Sequence, residues 1–300
     1  MRVLLLGAVP VCVLLTTIAS AQSVVAKSAD MERLPGRVVD VSVGEFYVRA
    51  PDSIPAGLTT FRLHQVGDLL TNREKVRVEN LALATPDNDP TRAFHMLWIV
   101  RLENGKTVSE WFDAQTKGEP TPWAVDLGGP ASADPPRTSN ATLVLEPGTY
   151  ALVCHVGSAR EDKNRSHLLK GMFRPLTVVP SKSTTVSLPV PDVTARIVTG
   201  GAIQLSGPVR AGRQVIRVVN ETTKSHEFIL VRVKEGRAAG EVPVWKRQDG
   251  TPHPFEPRGG LSDIPPGATR VITAVFESGA YLFWTIRSPD RSVAVTVSGK

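Results

Sequence analysis

The chain has 300 residues, 41% hydrophobic and 21% charged, with a net charge of +6. This balance excludes a wholly disordered chain, and the length suits two domains of roughly 100–150 residues each. No Lys/Arg block is interleaved with aromatics, which argues against nucleic acid as a partner.

The first 21 residues read as a secretory signal peptide. Met1-Arg2 precedes the apolar stretch Val3 to Ile18, and Ala19-Ser20-Ala21 is a small-x-small cleavage signal. The stretch is short for a membrane span and Pro10 interrupts it. No later stretch is apolar and long enough to cross a membrane, so a periplasmic or secreted protein is expected. Removal of the leader takes Cys12 with it and leaves Cys154 as one unpaired thiol in an oxidising compartment. A thiol there must be buried or bound to escape oxidation.

The remaining chain reads as strands. Val39, Val41 and Val43 alternate with Val38, Asp40 and Ser42, and Thr60 to Val66 forms another strand that contains His64. Val76 and Val78 repeat the alternation. Thr107 to Lys117 can hold a short helix, and Gly118 to Arg137, rich in Pro and Gly, is expected to be loop. Thr149 to Cys154, Leu176 to Val179, Val215 to Val219, Val271 to Val275 and Ser292 to Val297 are of strand length and rich in β-branched residues. Asn104-Gly105, Pro147-Gly148, Pro266-Gly267 and Ser278-Gly279 supply turns. Many short strands with frequent turns predict an all-β protein of antiparallel β-sandwiches.

A repeat is visible. His95-Met-Leu-Trp-Ile-Val-Arg-Leu-Glu-Asn-Gly-Lys aligns with His226-Glu-Phe-Ile-Leu-Val-Arg-Val-Lys-Glu-Gly-Arg, 131 residues later. At the same offset Gly128-Gly129 matches Gly259-Gly260, Glu146 matches Glu277, Gly148 matches Gly279, and Tyr150 matches Tyr281. Two copies of one unit are therefore expected, over residues 31–180 and 190–300.

The first copy carries a ligand set. Cys154 ends a strand, His167-Leu-Leu-Lys-Gly-Met172 follows, and His95 stands upstream at the start of another strand. A thiolate and two imidazoles suit the plane of a mononuclear copper site, and a thioether suits its weak axial position. These residues resemble the cupredoxins, the plastocyanin-like family of blue copper proteins. In that family Cys, His and Met come together between the last two strands, and His-x-x-x-Gly-Met matches His167 to Met172. The resemblance implies tandem Greek-key sandwiches, one copper held by His95, Cys154, His167 and Met172, and single-electron exchange with a redox partner protein. His167 would give the solvent-side exit edge.

Twelve residues separate Cys154 from His167, more than the family pattern, and include the charged run Arg160 to Arg165. His155, beside Cys154, is the substitute ligand should the loop carry His167 away. On a strand, however, its side chain points to the opposite face. The second copy has His226 in place of His95 but Thr285 in place of Cys154, and no Met follows. It is expected to be a degenerate repeat. His64 reads as structural or exposed, and His253 in Thr251-Pro-His-Pro254 as a solvated loop residue. Two alternatives remain: a metal-free scaffold or binding module, and a copper storage or delivery protein. Paired His-x-His motifs are absent from the sequence, which argues against a multicopper oxidase.

Overall fold

The computed structural model describes residues 33–44, 46–65, 95–134, 137–157, 166–182, 187–245 and 253–299. The expected leader, the strand expected at Val76 and Val78, and the charged run Arg160 to Arg165 lie outside these residues. Among the described residues no helix is long and apolar enough to cross a membrane.

The protein is all-β. Its first half comprises β1 (Arg37–Gly44), β2 (Tyr47–Arg49), β3 (Ser53–Pro55), β4 (Gly57–Gln65), β5 (Trp98–Leu102), helix α1 (Val108–Lys117), β6 (Ala124–Asp126), β7 (Gly129–Pro130), β8 (Thr138–Leu145), β9 (Gly148–Val153) and β10 (Phe173–Val179). The second half comprises β11 (Val193–Val198), β12 (Ala202–Leu205), β13 (Gly212–Asn220), β14 (His226–Val233), the single turn α2 (Glu241–Val244), β15 (Phe255–Ile264), β16 (Thr269–Phe276), β17 (Gly279–Trp284) and β18 (Val293–Val297).

Three sheets form two sandwiches. An eight-stranded sheet runs β12-β11-β13-β16-β8-β4-β1-β2 and so passes through both halves. The sheet β3-β10-β9-β5-β6 faces its first half, and β18-β17-β14-β15-β7 faces its second. Pairing is antiparallel except for β1 with β4, β11 with β13, and β3 with β10. Residues alternate across each pleat, so Val39, Val41 and Val43 of β1 point inward with Phe61 and Leu63 of β4. The first core also holds Ile99, Tyr150, Leu152 and Leu176. The second is built on Phe228, Phe276, Tyr281 and Phe283. Full burial of one such apolar side chain contributes about 1.5–3 kcal/mol.

The repeat is structural as well as sequential. β8 and β9 recur as β16 and β17 at the 131-residue offset. Arg101 pairs with Glu146, and Arg232 with Glu277. The Tyr150 hydroxyl donates to the Glu146 carbonyl, whereas the Tyr281 hydroxyl accepts from the Glu277 amide (3.0 Å). Each tyrosine thus locks a β-hairpin corner while its ring is buried.

Residues 118–137, expected as loop, include β6 and β7. The reason is non-local: β6 pairs with β5, and Gly129–Pro130 pairs with Ser262 and Leu261 of the other half. Glycine is required there, since a Cβ on Gly129 would lie 2.3 Å from the Leu97 carbonyl oxygen. The matching Gly260 would place one 2.0 Å from the Phe228 carbonyl oxygen. The doubled glycines therefore let four backbone segments pack at close range.

Where β8 meets β16 the ladder is short, with Val271 opposite Thr142. Asn140 extends it with a side chain. Its Nδ2 donates to the Thr273 carbonyl (2.7 Å), and the Thr273 amide donates back to its Oδ1 (2.8 Å). Both groups are buried. Asn140→Ala should therefore lower stability by about 2–4 kcal/mol, because two backbone groups lose partners in a dry seam. A shift in the denaturant midpoint checks this. An unchanged midpoint would show that the seam does not need Asn140.

Candidate metal centre

The end of β9 delivers Cys154 to one edge of the first sandwich, fully buried. Its amide donates to the Met172 carbonyl (3.1 Å), which ties the thiol-bearing residue to the start of β10. The intervening segment is pinched at its base by the Gly157–Ser166 bridge and by the His167 amide donating to Val156 (2.9 Å). This closure returns His167 to Cys154 whatever the length between them, since the cost of closing a loop grows slowly with length. His167 opens a 3₁₀ turn through Lys170. The Ser166 hydroxyl caps it, and Gly171 ends it in the left-handed region at φ +91°. The Met172 amide then donates back to the His167 carbonyl (3.0 Å).

His95 lies three residues before β5, and its carbonyl accepts from Gln65 Nε2 (2.7 Å) at the end of β4. Four separate segments thus meet. Cys154 Sγ lies 3.8 Å from His95 Nδ1 and 3.6 Å from His167 Nδ1, and the two nitrogens lie 3.2 Å apart. All three residues are buried. Met172 is also fully buried, next to these residues along the chain. The Phe46 ring stands edge-on to His167 at 4.9 Å, and Lys170 Nζ lies over the Phe46 ring at 4.6 Å. His167, expected to offer a solvent-side edge, is 3% exposed beneath this cover.

His155, just past the end of β9, turns away from the cluster. Its ring packs on Trp98 at 5.3 Å and on Trp111 at 6.1 Å. Burial lowers its pKa, with Asp263 acting in the opposite direction. Trp111 is presented by α1, whose Thr107–Glu110 capping box fixes its first turn and whose Gly118 ends it. Trp98 donates its indole N–H to Asp263 of the second half (3.0 Å).

The other histidines separate. His64 bonds Asp40 at 2.7 Å on a part-exposed face. His253, expected to be solvated, is instead buried: Trp245 and Phe255 enclose it, and its Nδ1 bonds the Phe255 carbonyl. Trp245 and Phe255, both near it along the chain, form that pocket, and the Pro-His-Pro pattern alone gave no sign that they fold over the ring. Gln65, Phe46 and Asp263 also escaped the sequence reading, because no motif marks a residue that acts by supporting another.

No family model matches the sequence, and no curated protein matches it either. Solved structures with some likeness include reduced auracyanin from Roseiflexus castenholzii, at 17% identity over 35% of this chain and 95% of that one, TM-score 0.27. A purple cupredoxin from Nitrosopumilus maritimus matches at 16% identity over 36% of this chain and 100% of that one, TM-score 0.24. A blue copper oxidase from Nitrosomonas europaea matches at 14% identity over 87% of this chain and 85% of that one, TM-score 0.21.

Behind Trp98 lies a charge cluster with a pH consequence. Asp126 is pushed up to about 7, chiefly by desolvation and further by Asp263, while the Gly128 amide and Arg270 act the other way. A folded-state pKa above the unfolded value means stability is greatest below about 4 and falls as pH rises through 7. Asp126→Asn keeps an oxygen for the Gly128 amide and removes the charge. It should flatten this part of the pH–stability curve and gain on the order of 2–4 kcal/mol at pH 8. Thermal melts from pH 4 to 8 measure it, and parallel curves for both proteins would refute the assignment.

Proposed function

We propose that this is an exported copper protein that exchanges single electrons through one mononuclear site held by His95, Cys154, His167 and Met172. The observation that carries the reading is the triangle of donor atoms. Bonds of about 2.0–2.3 Å at 120° require separations of about 3.5–3.7 Å, and the sides measure 3.8, 3.6 and 3.2 Å. The donor chemistry supports copper: a thiolate with two imidazoles forms the plane, and a buried thioether residue lies nearby. Copper, when bound, would supply a one-electron couple.

The chain's own residues do the rest. Cys154 must be a thiolate and both histidines neutral at Nδ1, so metal and protons compete for these atoms. Phe46 and the surrounding core keep water off the donors, and the Met172–Cys154 and His167–Val156 backbone bonds hold them in register. In this reading residues 31–180 form the metal-carrying domain and 190–300 a degenerate copy. A redox partner protein would approach where His167 lies under Phe46.

Two measurements follow. Copper titration into the purified chain should saturate at one ion with a visible absorption that Cys154→Ser abolishes. Absence of saturation favours the scaffold alternative. Release of the ion to a competing copper acceptor, without a reversible redox couple, favours storage or delivery. Separately, a thiol reagent should reach the buried Cys154 of the metal-free protein through local opening and should be slowed at least tenfold by copper, since a coordinated thiolate is blocked and the closed site is stabilised. Equal rates would remove Cys154 from the ligand set.

A further inference from the structure

At the place where the first half assembles His95, Cys154 and His167, the second half has a cleft. His226 and Thr285 occupy the positions of His95 and Cys154, and both are buried. The cleft has a volume of about 650 Å³ and is walled by His226, Lys224, Ser225, Arg287, Ser288 and the Gly200–Gly201 turn. A volume of that size suits a small organic molecule.

Three features of the wall specify the chemistry. Two cationic side chains, Lys224 and Arg287, line it together with His226. The carboxylate that lines it, Glu221, is paired with Arg196. Lys224 has no carboxylate partner among the described residues, and Arg287 is oriented by Glu227 (3.1 Å) and Asp263 (2.6 Å) through its Nε and one terminal nitrogen. The second terminal nitrogen of Arg287 is not used in those bonds. Finally, His226 Nδ1 is buried with no hydrogen-bond partner among the described residues, an arrangement that normally marks a group awaiting a ligand or water.

The wall is rigid before anything binds. Buried Asn220 donates from Nδ2 to the carbonyls of Lys224 (2.7 Å), Ile264 (2.8 Å) and Pro265 (3.1 Å), and its Oδ1 accepts from the Thr222 amide (3.0 Å). The segment that presents Lys224, Ser225 and His226 is therefore set in place. On the opposite side Gly201 sits at φ +78°, and a Cβ there would lie 2.4 Å from Ser288 Oγ and 3.1 Å from His226 Cε1. Only glycine permits that approach. Preorganised donors lose little entropy when they meet an acceptor.

We propose that this cleft binds a small organic anion, its carboxylate or phosphate head held by Lys224, Arg287 and His226. The site is independent of the copper reading, since none of its residues belongs to the His95–Cys154–His167 cluster. Binding is linked to pH. Burial holds His226 neutral, with Arg287 and Lys224 pushing the same way and Glu227 and Asp263 opposing. An anion beside it favours the imidazolium, so binding takes up a proton and tightens as pH falls.

The test uses the full chain, with and without added copper, and inorganic phosphate and acetate as probes of the two head groups at constant ionic strength. Calorimetry should show one saturable site for at least one probe. Lys224→Gln, a substitution that touches no core contact, should weaken it by roughly ten- to a hundredfold. His226→Gln should abolish the tightening between pH 8 and 6. Phosphate alone binding assigns a phosphate head, and acetate alone a carboxylate. No saturation with either probe, or saturation unchanged in both variants at equal melting temperature, overturns the proposal. Saturation without copper uptake would uphold this site while removing the electron-transfer reading.

Discussion

A thiol and two imidazoles can be buried around one point only if the chain on every side is already fixed. Each group is polar, and their atoms stand within 3.2–3.8 Å of one another. A shift of an ångström in any one would leave a buried polar atom facing hydrocarbon, at a cost of about 1–3 kcal/mol. The first sandwich meets this requirement with backbone, not with side chains. The Cys154 amide bonds to Met172, the His167 amide to Val156, and the Met172 amide to His167. The donors are carried on a small knot of main-chain hydrogen bonds at the end of β9 and the start of β10.

The strand that leads out of His95 is in turn braced by the second half. The shared eight-stranded sheet and the wedge of β7 between β5 and β15 join the sandwiches through backbone contacts that glycine alone allows. Ser262 donates to the Leu97 carbonyl (2.7 Å) and Trp98 donates to Asp263, so the strand that leads out of His95 is held from across the junction. The second half therefore has a structural role next to the site even though it lacks the thiol. The same junction places Trp98 between His155 and Asp263, and Asp263 also orients Arg287 at the cleft of the second half. The two ends of the repeat are thus connected by one line of packed and hydrogen-bonded groups.

The two halves share some features and differ in others. The corner tyrosines, the Arg–Glu pairs and the turn glycines recur at both copies, because each closes a hairpin that the sandwich needs. Cys154 recurs as Thr285, whose hydroxyl reaches backbone carbonyls of Gly201 and Ser288 at 3.4 and 3.5 Å. His226 stays buried but faces a polar cleft instead of a thiol.

The sequence by itself determined the strand content, the repeat and the identity of the donor types. These depend on period-2 alternation, on a constant offset and on residue chemistry, all of which are local properties of the chain. Only the tertiary structure decided that β6 and β7 exist, because Gly129–Pro130 becomes a strand solely by pairing with another half far along the chain. It alone decided that a long segment after Cys154 is closed at Gly157 and Ser166, which brings His167 to the thiol and turns His155 onto Trp98 and Trp111. It also buried His253 and formed the cleft at His226. Several of these features arise from segments well separated along the chain, such as β7 and β15, and a one-dimensional pattern holds no record of which backbone will arrive beside it.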